Sequence, residues 1–318
     1  MEKRKESSNT TRVTEFLLLN FSDIHELQML LFGFFLLIYL IALIENLLLI
    51  TIVVLDCQLH KPMYIFLANL SILDICFISI TVPKSMNISL TQIRSISFSG
   101  CMVQIFLGLT FAVVEFTLLA VMAYDRYIAI CYPLHYQLLM SKIKCFCMIA
   151  VCWVSSIIYS TLHTLNIIFL PFCGPNNIDQ IFCEITHTLK LVCADTYGNE
   201  MAVFMCGIIF GIIFSSSVIA SYVRIFLTIK KIPSSQGKHK AFSTCFPHLA
   251  VFSLFMSTGI LTYLRKSSES SITEILASLL YSIVSPIANP LIYSLRNKEI
   301  KAALEKLINK IFYYRKIF

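Results

Sequence analysis

Apolar residues run along this chain in seven long blocks separated by short polar stretches. The blocks cover residues 27–55, 62–83, 99–124, 144–170, 199–227, 243–264 and 273–295. Each reaches or exceeds the roughly 20 residues that a helix needs to cross a hydrocarbon core. A helix satisfies its own backbone N–H and C=O groups, which lipid cannot do, so the pattern predicts seven membrane-spanning helices. Acids, prolines and asparagines interrupt the third and seventh blocks and blur their ends. The expected organisation is an N-terminal segment (1–26), a seven-helix bundle (27–295) and a tail (296–318). Within the tail, Ile300, Leu304 and Leu307 recur at i, i+4 and i+7 among charged residues, the pattern of an amphipathic helix lying on a membrane surface. The fold class is therefore an all-α membrane protein with a short amphipathic helix after the bundle.

Composition supports the same class. Of 318 residues, 57% are hydrophobic and 14% charged, with mean hydropathy +0.78. Soluble domains carry about 25% charged residues, and a soluble core cannot hide this much apolar surface. The net charge of +7 does not imply nucleic acid, because the cations flank apolar blocks and form no continuous basic face. Sixteen of the 25 Lys and Arg lie on one side of the alternating loops, which predicts an external N-terminus and a cytosolic C-terminus. Lys3, Arg4 and Lys5 oppose this, but they lie more than twenty residues before the first block. The run Phe16–Leu19 is too short for a signal-peptide core, so the first helix is expected to act as an uncleaved anchor.

Two features fit that orientation. Asn9 and Asn20 head glycosylation sequons; Asn87 heads a third, at a helix end. Of twelve cysteines, Cys101 opens the third block, and Cys173, Cys183 and Cys193 crowd the loop after the fourth. An oxidising exterior lets these four pair, in any of three connectivities. The other eight read mainly as small buried hydrophobes. No cysteine follows Cys245, so the tail offers no palmitoylation site.

Ionisable groups at membrane depth are expensive and mark candidate functional positions. Asp125 and Arg126 stand side by side where the third block ends, within Met122–Cys131. Asp125 can neutralise Arg126, which can still reach a second partner, so the pair is a candidate switch. Asp74 and Glu115 lie within the second and third blocks. Two facing buried acids require a shared proton or a cation, and a sodium ion held with Asn46 and Asn289 meets that need. The plainer alternative is a neutral, hydrogen-bonded polar cluster. Asn289-Pro290 places a proline inside the seventh block, which removes a backbone hydrogen bond and kinks the helix, with Tyr293 one turn later.

Several segments, taken in order, resemble the vertebrate olfactory receptors, a branch of the rhodopsin-like G-protein-coupled receptors. They are Leu59–Tyr64 (LHKPMY), Leu70–Asp74, Met122–Cys131 (MAYDRYIAIC) continuing into Tyr132–Tyr136, Leu170–Asn176, Ser221-Tyr222, Lys240–Cys245 (KAFSTC) and Pro286–Asn297. The resemblance spans about residues 14–308. It implies a receptor in the plasma membrane that binds a small odorant and activates a stimulatory G protein of the olfactory type, raising cyclic AMP. It implies disulfides Cys101–Cys183 and Cys173–Cys193, folding the outer loop over the pocket. It also implies that Arg126, with Tyr127 beside it, leaves Asp125 on activation to meet Tyr222 and Tyr293. Lys238, His239 and Lys240 serve either G-protein contact or membrane anchoring.

By position, the ligand would meet Gly108, Leu109, Ala112 and Val113 on the third helix and Cys206 and Phe210 on the fifth. Met256, Ser257 and Ile260 on the sixth and Leu279 and Ser282 on the seventh complete the expected pocket. Gly108 stands where an amine receptor carries an acid, so the expected ligand is neutral and fairly apolar. Packing within the bundle accounts for each of these residues equally well. Four departures stand out: Glu45 where the family has glycine, Met256 where it commonly has tyrosine, Pro247 for serine before His248, and Arg265-Lys266-Ser267 without the usual proline. A peptide or lipid receptor of the same fold would lack KAFSTC and LHKPMY. A transporter would show repeats or broken half-helices, and an enzyme a catalytic constellation; none is present in the sequence. No cofactor is expected beyond an allosteric sodium ion; the expected partners are odorant, G protein and membrane lipid, and no nucleic acid.

Overall fold

The computed structural model describes residues 13–20, 24–173, 175–193, 198–263 and 271–315. Asn9 lies outside them, as do Arg265, Lys266 and Ser267. The chain begins with β1 (Glu15–Leu18), followed by α1 (His25–Leu55), α2 (Pro62–Thr91), β2 (Ser95–Ser97) and α3 (Phe98–Cys131). Then come the short α4 (Tyr136–Leu139), α5 (Lys142–Phe169), β3 (Asn177–Ile178) and α6 (Ile185–Leu189). The last four helices are α7 (Gly198–Lys231), α8 (Ser235–Tyr263), α9 (Ser271–Arg296) and α10 (Lys298–Arg315).

Helices α1, α2, α3, α5, α7 and α8 are long and apolar enough to cross a membrane, and α9 adds the apolar stretch Leu279–Ser294. Together they form the seven-transmembrane bundle, and α10 is the short helix after it. The helices overrun the apolar blocks: α3 continues seven residues past 124, to Cys131, and α8 starts at Ser235, before 243. Polar residues extend a helix without cost once its ends reach water. Local chemistry sets the boundaries. Pro62 opens α2, where its missing N–H is not needed. The Ser97 hydroxyl caps α3 by accepting from the Gly100 N–H at 3.1 Å. Gln92 closes α2 in the left-handed region at φ 59°.

Helix α3 is the central helix, with 56% of its apolar window buried against 6% for α7. The main core gathers Phe66, Leu70, Leu118, Leu119 and Val251 from α2, α3 and α8, with Trp153 of α5 packed edge-on against Phe111. In lipid, close packing rather than water exclusion holds such helices together.

One end of the bundle carries an element that the apolar blocks did not predict. Strand β1 is the middle of a three-stranded sheet, antiparallel to β2 and parallel to β3. Phe16 and Leu18 alternate inward and are fully buried, with Phe16, Phe98 and Phe172 meeting as an aromatic trio. The run dismissed as too short for a signal core is thus a strand.

Candidate functional site

At the sheet end, two disulfides shape the loop between α5 and α7. Cys101 at the start of α3 joins Cys183, and Cys173 joins Cys193. Gln104 reinforces the first link. Its Oε1 accepts from the Cys183 N–H at 2.9 Å, and its Nε2 donates to the Ile80 carbonyl at 2.7 Å. One side chain therefore pins the loop to both α3 and α2.

Beneath this lid lies a cavity of about 40 Å³, room for a few waters at most. Gly108, Leu109 and Ala112, three of the residues named for the pocket from the sequence, line it. Its other walls were not anticipated: Phe77, Ile80 and Thr81 of α2, Tyr281 of α9, and Phe182 to Ile185 of the lid, including the acid Glu184. The remaining expected residues lie elsewhere. Cys206, Phe210, Ser257 and Ile260 face outward, with Phe210 58% exposed. Ser257 and Ile260 are about 100° or more around α8 from Val251, Phe255 and Thr258, which form its buried face. Met256 packs on the main core; Leu279 packs beside Phe35 and Ile78, and Ser282 is buried, donating to the Leu279 carbonyl. Val113, half-buried on α3, is not among the cavity-lining residues. Asn20 is half-buried, and its side-chain oxygen accepts from Gln28.

Midway down the bundle, Asn289 bridges two buried acids. Its Nδ2 lies 3.1 and 3.2 Å from the Asp74 carboxylate oxygens and 3.2 Å from Glu115 Oε1, which also accepts from the Ser285 hydroxyl at 2.8 Å. Asn46 was expected in this cluster and is not bonded to it. Its Nδ2 donates instead to the Pro286 carbonyl at 2.8 Å and to the Ala42 carbonyl. Pro290 has no N–H, so the carbonyl four residues earlier, Pro286, loses its helical donor. Asn46 supplies that donor from α1 and so anchors the α9 kink. The side-chain oxygens of Asn46 and Asn289 are buried without a hydrogen-bond partner.

At the far end, Asp125 is fully buried, and both Nε and Nη2 of Arg126 donate to its Oδ2. The Tyr136 hydroxyl donates to Asp125 Oδ1 at 2.7 Å. Burial and the adjacent carboxylate push the Tyr136 phenol well above its ordinary range, so it remains a donor. Tyr127 is half-buried and packs against Ile225, Ile229 and Cys245. Tyr222 does not hydrogen-bond to Arg126. Its hydroxyl lies 2.7 Å from Nδ1 of His248, whose Nε2 lies 2.8 Å from the Leu119 carbonyl. A carbonyl only accepts, so Nε2 carries the hydrogen, and in the neutral ring Nδ1 accepts from Tyr222. His248 thereby ties α7 and α8 to α3, a role the sequence did not reveal. Tyr293 is buried, and its hydroxyl has no partner.

Two further clusters were not singled out from the sequence. Tyr64 and Lys61 bind Asn297 and Glu299, with Lys61 Nζ 2.6 Å from Glu299 Oε2. The LHKPMY run therefore clamps the start of α10. Between α5 and α7, His163 lies between the Glu200 carboxylate and the Tyr159 hydroxyl. Among the described residues, no group of three or more His, Cys, Asp or Glu could hold a metal.

Comparison with known proteins identifies the arrangement. The olfactory receptor family model matches residues 35–311. Gorilla olfactory receptor 1G1 is 48% identical over 304 residues, 95% of this chain and 97% of its own length. Human olfactory receptor 10C1 is 48% identical over 96% of this chain and 98% of its length, and mouse olfactory receptor 1E16 is 45% identical over 95% and 96%. The chain belongs to the olfactory receptor family: it is an odorant-sensing G-protein-coupled receptor that crosses the plasma membrane several times, and not an enzyme.

Proposed function

We propose that this receptor binds a small, neutral, mostly apolar odorant under the disulfide-linked lid and couples to a stimulatory G protein that raises cyclic AMP. The N-terminus and lid face outward, and Arg126 faces the cytosol. One observation carries the reading: Arg126 is closed onto Asp125 at the end of the bundle opposite a lidded, largely apolar cavity. The same helix, α3, runs from the cavity to the pair. Ligand entry must enlarge the cavity, and a shift of α3 is the direct way to reach Arg126. A stimulatory G protein then occupies the space that Arg126 opens, with Tyr222 and Tyr293 as its new neighbours.

Asp74, Glu115 and Asn289 suit a sodium ion, since they offer oxygen donors and the Asn289 oxygen is buried without a partner. Bound there, sodium would supply positive charge between two acids. Asn289 links that cluster to the α9 kink, so the residues favour the closed form when the charge is balanced.

The test is a cyclic AMP assay in cells expressing the olfactory stimulatory G protein, run against a panel of neutral odorants and amines. Neutral odorants are expected to respond. A response confined to amines would overturn the ligand class and point to Glu184 as the counter-ion. Arg126→Ala is expected to abolish the response while surface delivery persists; normal signalling from that variant would refute the switch. An N-terminal epitope is expected to be accessible on intact cells.

A further inference from the structure

The polar groups around the cavity beneath the lid are richer in hydrogen-bond acceptors than in donors. Thr81 lines it from α2, and its hydroxyl already donates to the Phe77 carbonyl at 3.1 Å. Toward a ligand the Thr81 oxygen can therefore only accept. Gln104 commits its oxygen to the Cys183 N–H and one amide hydrogen to the Ile80 carbonyl, which leaves one amide hydrogen. Glu184 is the single acid among the lining residues and is 8% exposed. A carboxylate accepts and does not donate. Tyr281 completes the polar set with a hydroxyl that serves in either role. The other walls, among them Phe77, Ile105, Leu109 and Phe182, are apolar.

We propose, resting on the placement of the odorant beneath this lid, that the site selects odorants carrying a hydroxyl group, which donates to the Glu184 carboxylate and accepts from the amide hydrogen left on Gln104. An alcohol has one hydrogen to give and lone pairs to receive, the complement of that lining. A ketone, ester or ether of the same skeleton has only lone pairs. Its oxygen would meet the carboxylate with no hydrogen between them, and a buried carboxylate that loses water without a replacement donor is costly. A primary amine offers hydrogens but arrives as a cation. It must shed an ionic hydration shell in a cavity whose remaining walls are mostly apolar, whereas an alcohol sheds far less.

The test holds the carbon skeleton fixed and changes the polar group, with cyclic AMP as the readout. Straight-chain, branched, cyclic and aromatic skeletons are each presented as the alcohol, its methyl ether, the matching ketone and the amine. The wild-type receptor should respond to an alcohol at a concentration about tenfold or more below that for the ether or ketone, as one hydrogen bond to a charged group implies. That ratio needs no variant. Glu184→Gln exchanges an acceptor oxygen for an amide donor, so in receptors counted at the cell surface it should weaken alcohols, admit ketones and lower the ratio about tenfold. Glu184→Asp keeps the carboxylate and should keep the preference. Gly108→Val narrows the cavity and retains its polar side chains, so it should weaken every active odorant alike.

If Gly108→Val at the surface changes nothing, the placement of the odorant has failed and the proposal goes with it. If Gly108→Val weakens all odorants but ethers and ketones match alcohols, the placement stands and the hydroxyl preference alone is overturned. The preference is also overturned if Glu184→Gln keeps the wild-type ratio. A response confined to amines, or silence across the whole set, removes the neutral ligand class and the proposal together.

Discussion

Single residues here act by holding two helices at once. His248 is the clearest case. Its neutral ring accepts from Tyr222 on α7 and donates to the Leu119 carbonyl on α3. Tyr222→Phe removes one hydrogen bond of about 1 kcal/mol. It is expected to lower the melting temperature slightly and to raise ligand-free cyclic AMP, because α7 loses its tie to the His248 ring that joins α8 to α3. An unchanged basal level would show that the tie plays no part in keeping the receptor at rest. Asp125 and Arg126 were legible in the sequence because adjacent opposite charges at the end of an apolar run announce themselves. His248 was not. A lone histidine on an apolar helix looks the same whether it is filler or a connector, and both its partners are distant in sequence.

At the level of the element, the sequence predicts where helices lie but not how each is rotated. Helices α1 and α7 are apolar on nearly every side because lipid covers most of their surface. Such a helix carries no amphipathic signal to mark its inward face. Cys206 and Phe210 on α7 are exposed, whereas Gly108, Leu109 and Ala112 on the surrounded α3 line the cavity. Glycine gives one hint about α7. A β-carbon at Gly207 would overlap the Tyr159 hydroxyl, which sits on the open backbone there while reaching His163. Gly207→Ala should push α5 and α7 apart and reduce thermal stability, and Tyr159→Phe should restore part of it by removing the hydroxyl. Equal stability of Gly207→Ala and wild type would contradict this contact.

The α10 clamp is a second case at the same scale. The Asn297 side-chain oxygen accepts from the Glu299 N–H at 2.9 Å and caps the helix. Asn297→Ala should loosen α10 by about 1 kcal/mol, seen as greater mobility of a spin label at Lys310. Lys306 adds a bond to Asp56. The Gln58 backbone N–H, and then Lys306, hold the Asp56 carboxyl below its ordinary value of 3.8. A lowered value means that this stabilisation is present above about that pH and is lost as the pH falls below it. The label should therefore respond to acid only below about pH 4, with no change between pH 5 and 8.

For the whole molecule, the lid is the element on which everything above the switch depends. The Cys101–Cys183 bond closes a span of 82 residues. Cross-links of that reach typically contribute about 2–5 kcal/mol, with roughly 4.5 expected from loop closure. Cys183→Ser should sharply reduce surface delivery, measured by flow cytometry, and should abolish the odorant response of the receptors that do arrive. A normal response from that variant would free the pocket from the lid. The seven spans and their alternation were readable because hydrocarbon thickness imposes one length on every crossing. The small sheet was not readable: strands of two to four residues carry no periodic signal, and their partners lie some eighty and one hundred and sixty residues away.

The sheet has a consequence for how the protein is made. Its central strand, Glu15–Leu18, leaves the ribosome before either neighbour, yet its parallel partner at Asn177–Ile178 appears only when half the chain has been synthesised. Phe16 and Leu18 must therefore wait uncovered, or held by a chaperone, until then. Closure of the sheet requires translation past residue 178, and an antibody that recognised only the closed form would separate chains that have passed that point from shorter nascent ones.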